Sequence, residues 1–347
     1  MPSVTIDAGV LAAPPVNCSA EDAHRYVETL LDWSQLLEEP WVAIYMSERA
    51  SESLLTDGLY PLRDQLKRLF AANGIVEYDV NTVASVVDRL LQLTPSFETY
   101  FRIRDVLTED LTTQPDILRL CAGAGLQSDL ARCVVLIAIL RRHCHEPVSD
   151  HSLILRRAPG RTIRVRALIH ELEHERYDLT AYPSPPNYFE GDVLACDDFR
   201  GLLQCLDEAT ILLNATDEVG IQTAIQIAVY KARLAREMEP DWDDVPQYRV
   251  GHAFWGRLQE LGSAQQISAN LLRAIVDTLE GASMARTHAL RTGPGGGNPQ
   301  RERKRDQAKA WRRDIDSEHH LHYWACEGGL VEIAWVGFPH KDITIPE

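Results

Sequence analysis

The chain has 347 residues, 45% of them apolar and 25% charged, with a formal charge of −16. Its length exceeds what one core usually organises, so two or three domains are expected. The acidity excludes a protein coated over its whole surface in nucleic acid, and no apolar run approaches the roughly 18 residues that a membrane-spanning helix needs.

The first residues, MPSVTIDAGVLAAPPVN, lack a basic leader followed by an apolar core, so no secretory signal is expected. The seven cysteines are Cys18, Cys121, Cys133, Cys144, Cys196, Cys205 and Cys326. Their number is odd and no C-x-x-C occurs. This suits reduced thiols in a cytoplasmic protein and gives no support to a zinc knuckle.

A first domain is expected over 1–148. Ser19 opens an amphipathic helix over 19–39, with Asp22 three residues on as in a capping box. WVAIYM (41–46) and GIVEYDV (74–80) read as strands. Helices are expected at about 58–72, 80–93 and 128–142, with Ser128 as N-cap of the last. Its apolar run CVVLIAIL (133–140) is too short for a bilayer and fits a buried helix.

A second domain, 149–265, opens with two β-rich runs around Ala158-Pro159-Gly160-Arg161, read as a hairpin over 151–172. Ile163, Val165 and Ala167 alternate with Thr162, Arg164 and Arg166, the period of a half-buried strand. A loop over 181–192 precedes helices at about 197–213, 217–237 and 247–262. The third domain, 266–347, has a helix over 268–281 closed by Gly281, a glycine-rich loop, a basic helix over about 301–317, and strands at 319–326, 330–336 and 342–346. The fold class expected is therefore α+β: mostly helical and multi-domain, with a central β-hairpin and a small C-terminal antiparallel sheet.

HELEH (170–174) matches H-E-x-x-H. On a helix, His170 and His174 would share a face and bind zinc while Glu171 polarised its water. The residues before it alternate at strand spacing, Glu173 and Glu175 are charged, and no third ligand follows at a familiar distance. A solvated strand end or helix start is the preferred reading, with zinc hydrolysis as the alternative. The acids Glu190, Asp192, Asp197, Asp198, Asp207 and Glu208 suggest a magnesium site of the two-metal kind. Capping accounts for Asp197 or Asp198 equally well, and for Asp79 before the helix at 80. No cofactor is assigned; zinc or magnesium is the alternative.

The most suggestive segment is RERKRDQAKAWRRDIDSEHHLHYW. Residues 299–313 hold seven Lys/Arg against two acids. Arg301, Arg303, Lys304, Arg305, Lys309 and Arg312 are the expected phosphate contacts, with Trp324 available to stack a base. If 319–325 is a strand, His320, His322 and Trp324 share a face. Imidazoles beside guanidinium groups suit RNA cleavage: one takes the 2′-hydroxyl proton, another protonates the leaving oxygen, and a cation stabilises the phosphorane. A basic surface helix over an aromatic core is the plainer alternative, and a docking face for an acidic partner is another.

The sequence HLHYW-ACEGG-LVEIAWVGFPHKD, after a helix, a glycine-rich loop and a basic stretch, resembles the sheet half of RelE/ParE-type toxins over about 268–347. The resemblance implies an open sheet and either RNA cleavage or gyrase poisoning. It places Arg313, Tyr323 and Lys341 where functional basic and aromatic groups stand. The chain departs from the family in its large helical N-terminal body and in lacking a clear opening strand. The leading expectation is a cytoplasmic protein that engages nucleic acid, RNA before DNA. It would act as an RNase or toxin-like effector of a bacterial defence or stress system, with His320, His322, Tyr323, Arg313 and Lys341 catalytic. The alternative is a non-enzymatic accessory or scaffold subunit whose acidic body binds a protein partner. No membrane contact is expected.

Overall fold

The computed structural model describes residues 1–144, 151–176, 185–260, 265–281, 284–293, 296–338 and 342–347. It is α+β and forms two compact units, Met1–Leu206 and Asp207–Glu347, each with its own mixed sheet. No described helix is long and apolar enough to cross a membrane.

Unit 1 contains, in chain order, β1 (Ser3–Ile6), α1 (Ala8–Leu11), α2 (Ala20–Leu36), β2 (Ala43–Met46), α3 (Ala50–Thr56), α4 (Arg63–Asn73), α5 (Val80–Leu93), α6 (Phe97–Phe101), β3 (Ile103–Gln114), α7 (Ala124–His143), β4 (Ser152–Ile154), β5 (Thr162–His174), β6 (Asn187–Cys196) and α8 (Phe199–Cys205). Its sheet runs β2-β1-β4-β6-β5-β3. The first four strands are mutually parallel, while β5 and β3 close the sheet antiparallel. Burial on both faces of β1 encloses Ser3 and Thr5 along with Val4 and Ile6, and β2 is a four-residue run of mostly buried apolar side chains. β5 does alternate: Ile163, Val165, Ala167 and Ile169 point into the core against the run Cys133–Leu140 of α7. Ser19 caps α2 through the Asp22 amide, and Asp79 caps α5 through Asn81 and Thr82.

Several expectations are corrected. β4 and β5 do not form a hairpin, because β6 lies between them and pairs with both. The segment 151–172 thus joins the same sheet as β1 and β2. α7 starts at Ala124, four residues before Ser128, with Gly123 as its N-cap. Residues 74–79 form no strand, and Asp79 instead ends that segment as a cap. β3 and the loop-like run that became β6 carry no compact apolar signal, and β1 is only four residues long.

Unit 2 contains α9 (Glu208–Leu213), α10 (Glu218–Ala235), β7 (Tyr248–Val250), α11 (His252–Glu260), α12 (Gln265–Leu279), β8 (Thr287–Ala289), β9 (Lys309–Asp314), β10 (His320–Ala325) and β11 (Val331–Gly337). The sheet runs β7-β11-β10-β9-β8, antiparallel apart from the β7–β11 pair. The basic helix expected at 301–317 is absent: the segment turns on itself and becomes β9. Arg303 N donates to Ala308 O and Gln307 N to Arg303 O, reversing the chain. Six cross-strand pairs with β10 then outweigh helix propensity. Residues 342–346 are not a strand. They lie over β10, where His322 Nδ1 donates to Thr344 O at 2.6 Å and Trp324 Nε1 to Pro346 O at 2.8 Å.

Candidate functional site

The four parallel strands of unit 1 end at one edge of the sheet. β1 pairs with β2 on one side and β4 on the other, so the chain reverses its winding direction between β1 and β4. Crevices at such a reversal, beyond the carboxyl ends of the strands, are where open parallel sheets bind ligands. A crevice of about 670 Å³ occupies that place. Asp7 from the end of β1, Arg156 and Arg157 after β4, and Asp197 and Asp198 after β6 line it, together with Tyr26 of α2.

Asp7 is partly buried and accepts a hydrogen bond from Gly9 N at 3.0 Å. A Cβ on residue 9 would sit 2.5 Å from Asp7 Oδ2, so glycine lets the amide come this close. Burial, then the charge of nearby Asp129, pushes the Asp7 carboxyl up to about 7.

Asp129 projects from α7 and is 3% exposed. Its Oδ1 accepts from Ser47 Oγ at 2.6 Å and lies 3.4 Å from Arg132 Nη2. Its Oδ2 is buried and has no hydrogen-bond partner. Desolvation raises this carboxyl too.

Glu98, 1% exposed, differs from Asp129 in being fully engaged. It accepts from Glu48 N, Ser96 Oγ and the Arg132 guanidinium. Arg132 also donates to Ser47 Oγ and to Arg104 O, tying α7 to the end of β2 and to the starts of α6 and β3. One buried guanidinium therefore faces Asp129 and Glu98, with Asp7 beside them. The cluster is short of positive charge, a deficit met by proton or cation uptake.

At the mouth, Arg156 lies over the Tyr26 ring at 5.9 Å and donates to Ala12 O. Among the described residues no carboxylate lies within ion-pair distance of it, whereas Arg157 pairs with Asp22 at 3.2 Å. Asp198 caps α8 through Gly201 N, and Asp197 accepts from Ala158 N. Of the remaining acids named from sequence, Asp207 caps α9, and Glu190 and Asp192 lie near Arg164 and Arg166 on the sheet. They do not join the cluster around Asp129.

The other sequence-derived candidates are placed differently. HELEH ends strand β5, so His170 and His174 stand about 13 Å apart along the chain. His170 lies 3.0 Å from Glu109, His174 Nδ1 donates to Arg176 O, and Glu171 is exposed. The helical zinc arrangement is not formed.

In unit 2, His320, His322 and Trp324 are fully buried and Tyr323 nearly so. His320 faces Asp314 at 2.9 Å, and burial drops His322 to about 4. Arg303 is 0% exposed, stacked on Trp324 at 4.9 Å and paired with Asp306 at 2.6 Å and Glu332 at 2.8 Å. Arg313 is buried beside Asp277. These two guanidinium groups are thus internal, not the surface cations expected. Arg301 and Arg312 are partly buried, Lys304, Arg305 and Lys309 are exposed, and Arg305 lies 3.5 Å from Glu332. Lys341 lies outside the described residues.

Sequence reasoning missed Asp7, Ser47, Asp129 and Arg156. The available signals were an acid directly after the β-branched run VTI, and Asp129 and Arg132 set into an apolar helix. No protein-family model, curated protein or solved structure matches the chain.

Proposed function

We propose that unit 1 is a divalent-cation-dependent phosphodiesterase acting on nucleic acid, with its centre at Asp7, which lines the crevice beyond β1, β4 and β6, and at the buried Asp129 near it. The observation that carries this reading is the unmatched Oδ2 of Asp129 beside the raised carboxyl of Asp7. Two carboxylates that repel each other as anions become ligands when a cation sits between them. Among the described residues no three His, Cys, Asp or Glu side chains converge as a ready-made cage. That suits magnesium, which keeps several waters and is held by one or two carboxylates plus substrate phosphate. A bound cation supplies an acidified water as nucleophile. Ser47 and Arg132 hold Asp129 Oδ1 so that Oδ2 remains free. Arg156, lacking an acidic partner, takes a phosphate oxygen at the mouth.

The test is hydrolysis of bis(p-nitrophenyl) phosphate and of an RNA oligonucleotide, each with Mg²⁺, with Mn²⁺ and after EDTA treatment. Asp129→Asn is expected to lower the rate by about a hundredfold or more while the far-ultraviolet spectrum stays native. Hydrolysis that survives both EDTA and this substitution, or that is absent from the native protein with either metal, removes the reading.

A further inference from the structure

The wall of the crevice formed by Asp197 and Asp198 is bracketed by two thiols. Cys196 is the last residue of β6 and Cys205 the last of α8, so the acidic turn and the whole helix lie between them. Gly201 lets the helix fold back this closely, since a Cβ there would stand 3.1 Å from Cys196 Cβ. Cys205 Sγ reaches Ala195 O at 3.6 Å, and Gly201 and Cys205, one turn apart on α8, share the face that meets Cys196 at the end of β6. All seven cysteines are free in this structure.

We infer that Cys196 and Cys205 are a reversible redox pair whose disulfide closes down the crevice, an inference that rests on the proposed phosphodiesterase site. The two sulfurs are chemically unequal. The Cys196 contact, Arg161 and Arg141 favour the Cys205 thiolate, whereas Cys196 is held protonated by that same contact and by burial. Cys205 is therefore the attacking sulfur, with a hydroperoxide as oxidant. Its thiolate displaces hydroxide from the peroxide O–O bond, giving a sulfenic acid; the Cys196 sulfur then attacks that sulfur, forms the S–S bond and releases water.

Closing the bond draws the two sulfurs to a covalent separation of about 2 Å. The end of α8 is drawn onto β6, and the strain falls on the turn between them. Asp197 then loses its hold on Ala158 N, the bond that fixes the connection carrying Arg156 and Arg157.

The full chain, reduced and then treated with hydrogen peroxide, provides the test. Trypsin cuts after Arg200, so the disulfide joins peptides 177–200 and 201–231, and dithiothreitol separates them. Cys205→Ala abolishes the joined species, and Cys196→Ala leaves Cys205 at the sulfenic acid, trapped by dimedone. The amide of Ala158 exchanges faster in the oxidised protein. Hydrolysis falls roughly tenfold or more on oxidation and returns with dithiothreitol, which Cys205→Ala prevents. Failure to form the joined peptides, or their formation with Ala158 exchange unchanged, overturns the inference. If the reduced protein does not hydrolyse phosphodiesters at all, the functional reading fails, while peptide linkage and exchange still decide the redox pair.

Discussion

The two units both bury charged side chains, but they balance them differently. In unit 2, Arg303 is enclosed by Asp306 and Glu332, and Glu332 also meets Arg249 at 2.7 Å. Each charge has an opposite within reach, and Asp306 is pushed down to about 2 by its partner. In unit 1, Arg132 faces two carboxylates with a third close by, and one carboxylate oxygen stays unmatched. A balanced internal network holds a fold together. An unbalanced one at the mouth of a sheet is held in readiness for something from outside.

The largest effect that would break this contrast comes from unit 2. Replacing Arg303 with Met leaves the buried Glu332, and the more exposed Asp306, without their shared partner. The expected loss is about 3–5 kcal/mol of stability, read from urea unfolding, with phosphodiester hydrolysis of the remaining folded protein unchanged. A small loss would mean that Arg249 and Arg305 already suffice for Glu332. A selective loss of hydrolysis in a stable variant would return the chemistry to the C-terminal sheet.

The next effect is one of pH, and its sign differs between the units. Asp7 has an ordinary value of 3.8 and is raised to about 7 in the fold, so the native state holds its proton more tightly than the unfolded chain does. This contribution is complete below 3.8 and is lost as pH rises towards 7. Relative to Asp7→Asn, the native sequence should lose on the order of 2–4 kcal/mol between pH 4 and pH 8. Mg²⁺ at pH 8 should restore much of that loss.

His322 runs the other way. Its ordinary value of 6.5 falls to about 4, chiefly by burial, so the unfolded chain takes up the proton first. Its contribution is present above 6.5 and is lost as pH falls towards 4, by about 2–3 kcal/mol relative to His322→Gln. Mg²⁺ should leave that slope unchanged. Urea midpoints across pH 4–8 for the native chain and both variants decide the matter. A Mg²⁺ effect on both slopes, or on neither, would remove the contrast.

Residue patterning made the fold class, the buried helix at 133–140, the alternation in β5 and the caps Ser19 and Asp79 legible, because each is a local requirement written in neighbouring residues. Strand order was not. β4 is three residues long and owes its existence to β1 and β6, which come from distant parts of the chain. The site was hidden for the same reason: Asp7 and Asp129 are 122 positions apart, and only the parallel strand order brings them together. The tail misled in the opposite sense. Its cations are dense in sequence, yet density says nothing about partners, and Glu332 and Asp277 had already taken Arg303 and Arg313.

The smallest effect tests how α7, which carries Asp129, is fixed at its start. Its N-cap, Gly123, has no side chain to offer, and Asp57 at the end of α3 substitutes for one. Both carboxylate oxygens accept, from Gly125 N at 2.9 Å and Leu126 N at 2.8 Å. A Cβ on residue 123 would sit 2.2 Å from Asp57 Cγ, so the remote cap and the glycine are one device. Asp57→Ala should cost about 1–2 kcal/mol, within the range of a lost helix cap. Gly123→Ala should cost a similar amount by displacing the carboxylate. Asp57→Ala removes the carboxylate contacts but keeps a Cβ 2.7 Å from the added methyl, so part of the clash survives and the double variant should be modestly worse than Asp57→Ala alone, with a coupling of about 0.5–1 kcal/mol. Additive losses in urea unfolding would show that residue 123 acts through its own backbone. Because α7 also holds Asp129, the coupled variants should lower hydrolysis by a few-fold, and Arg303→Met should not.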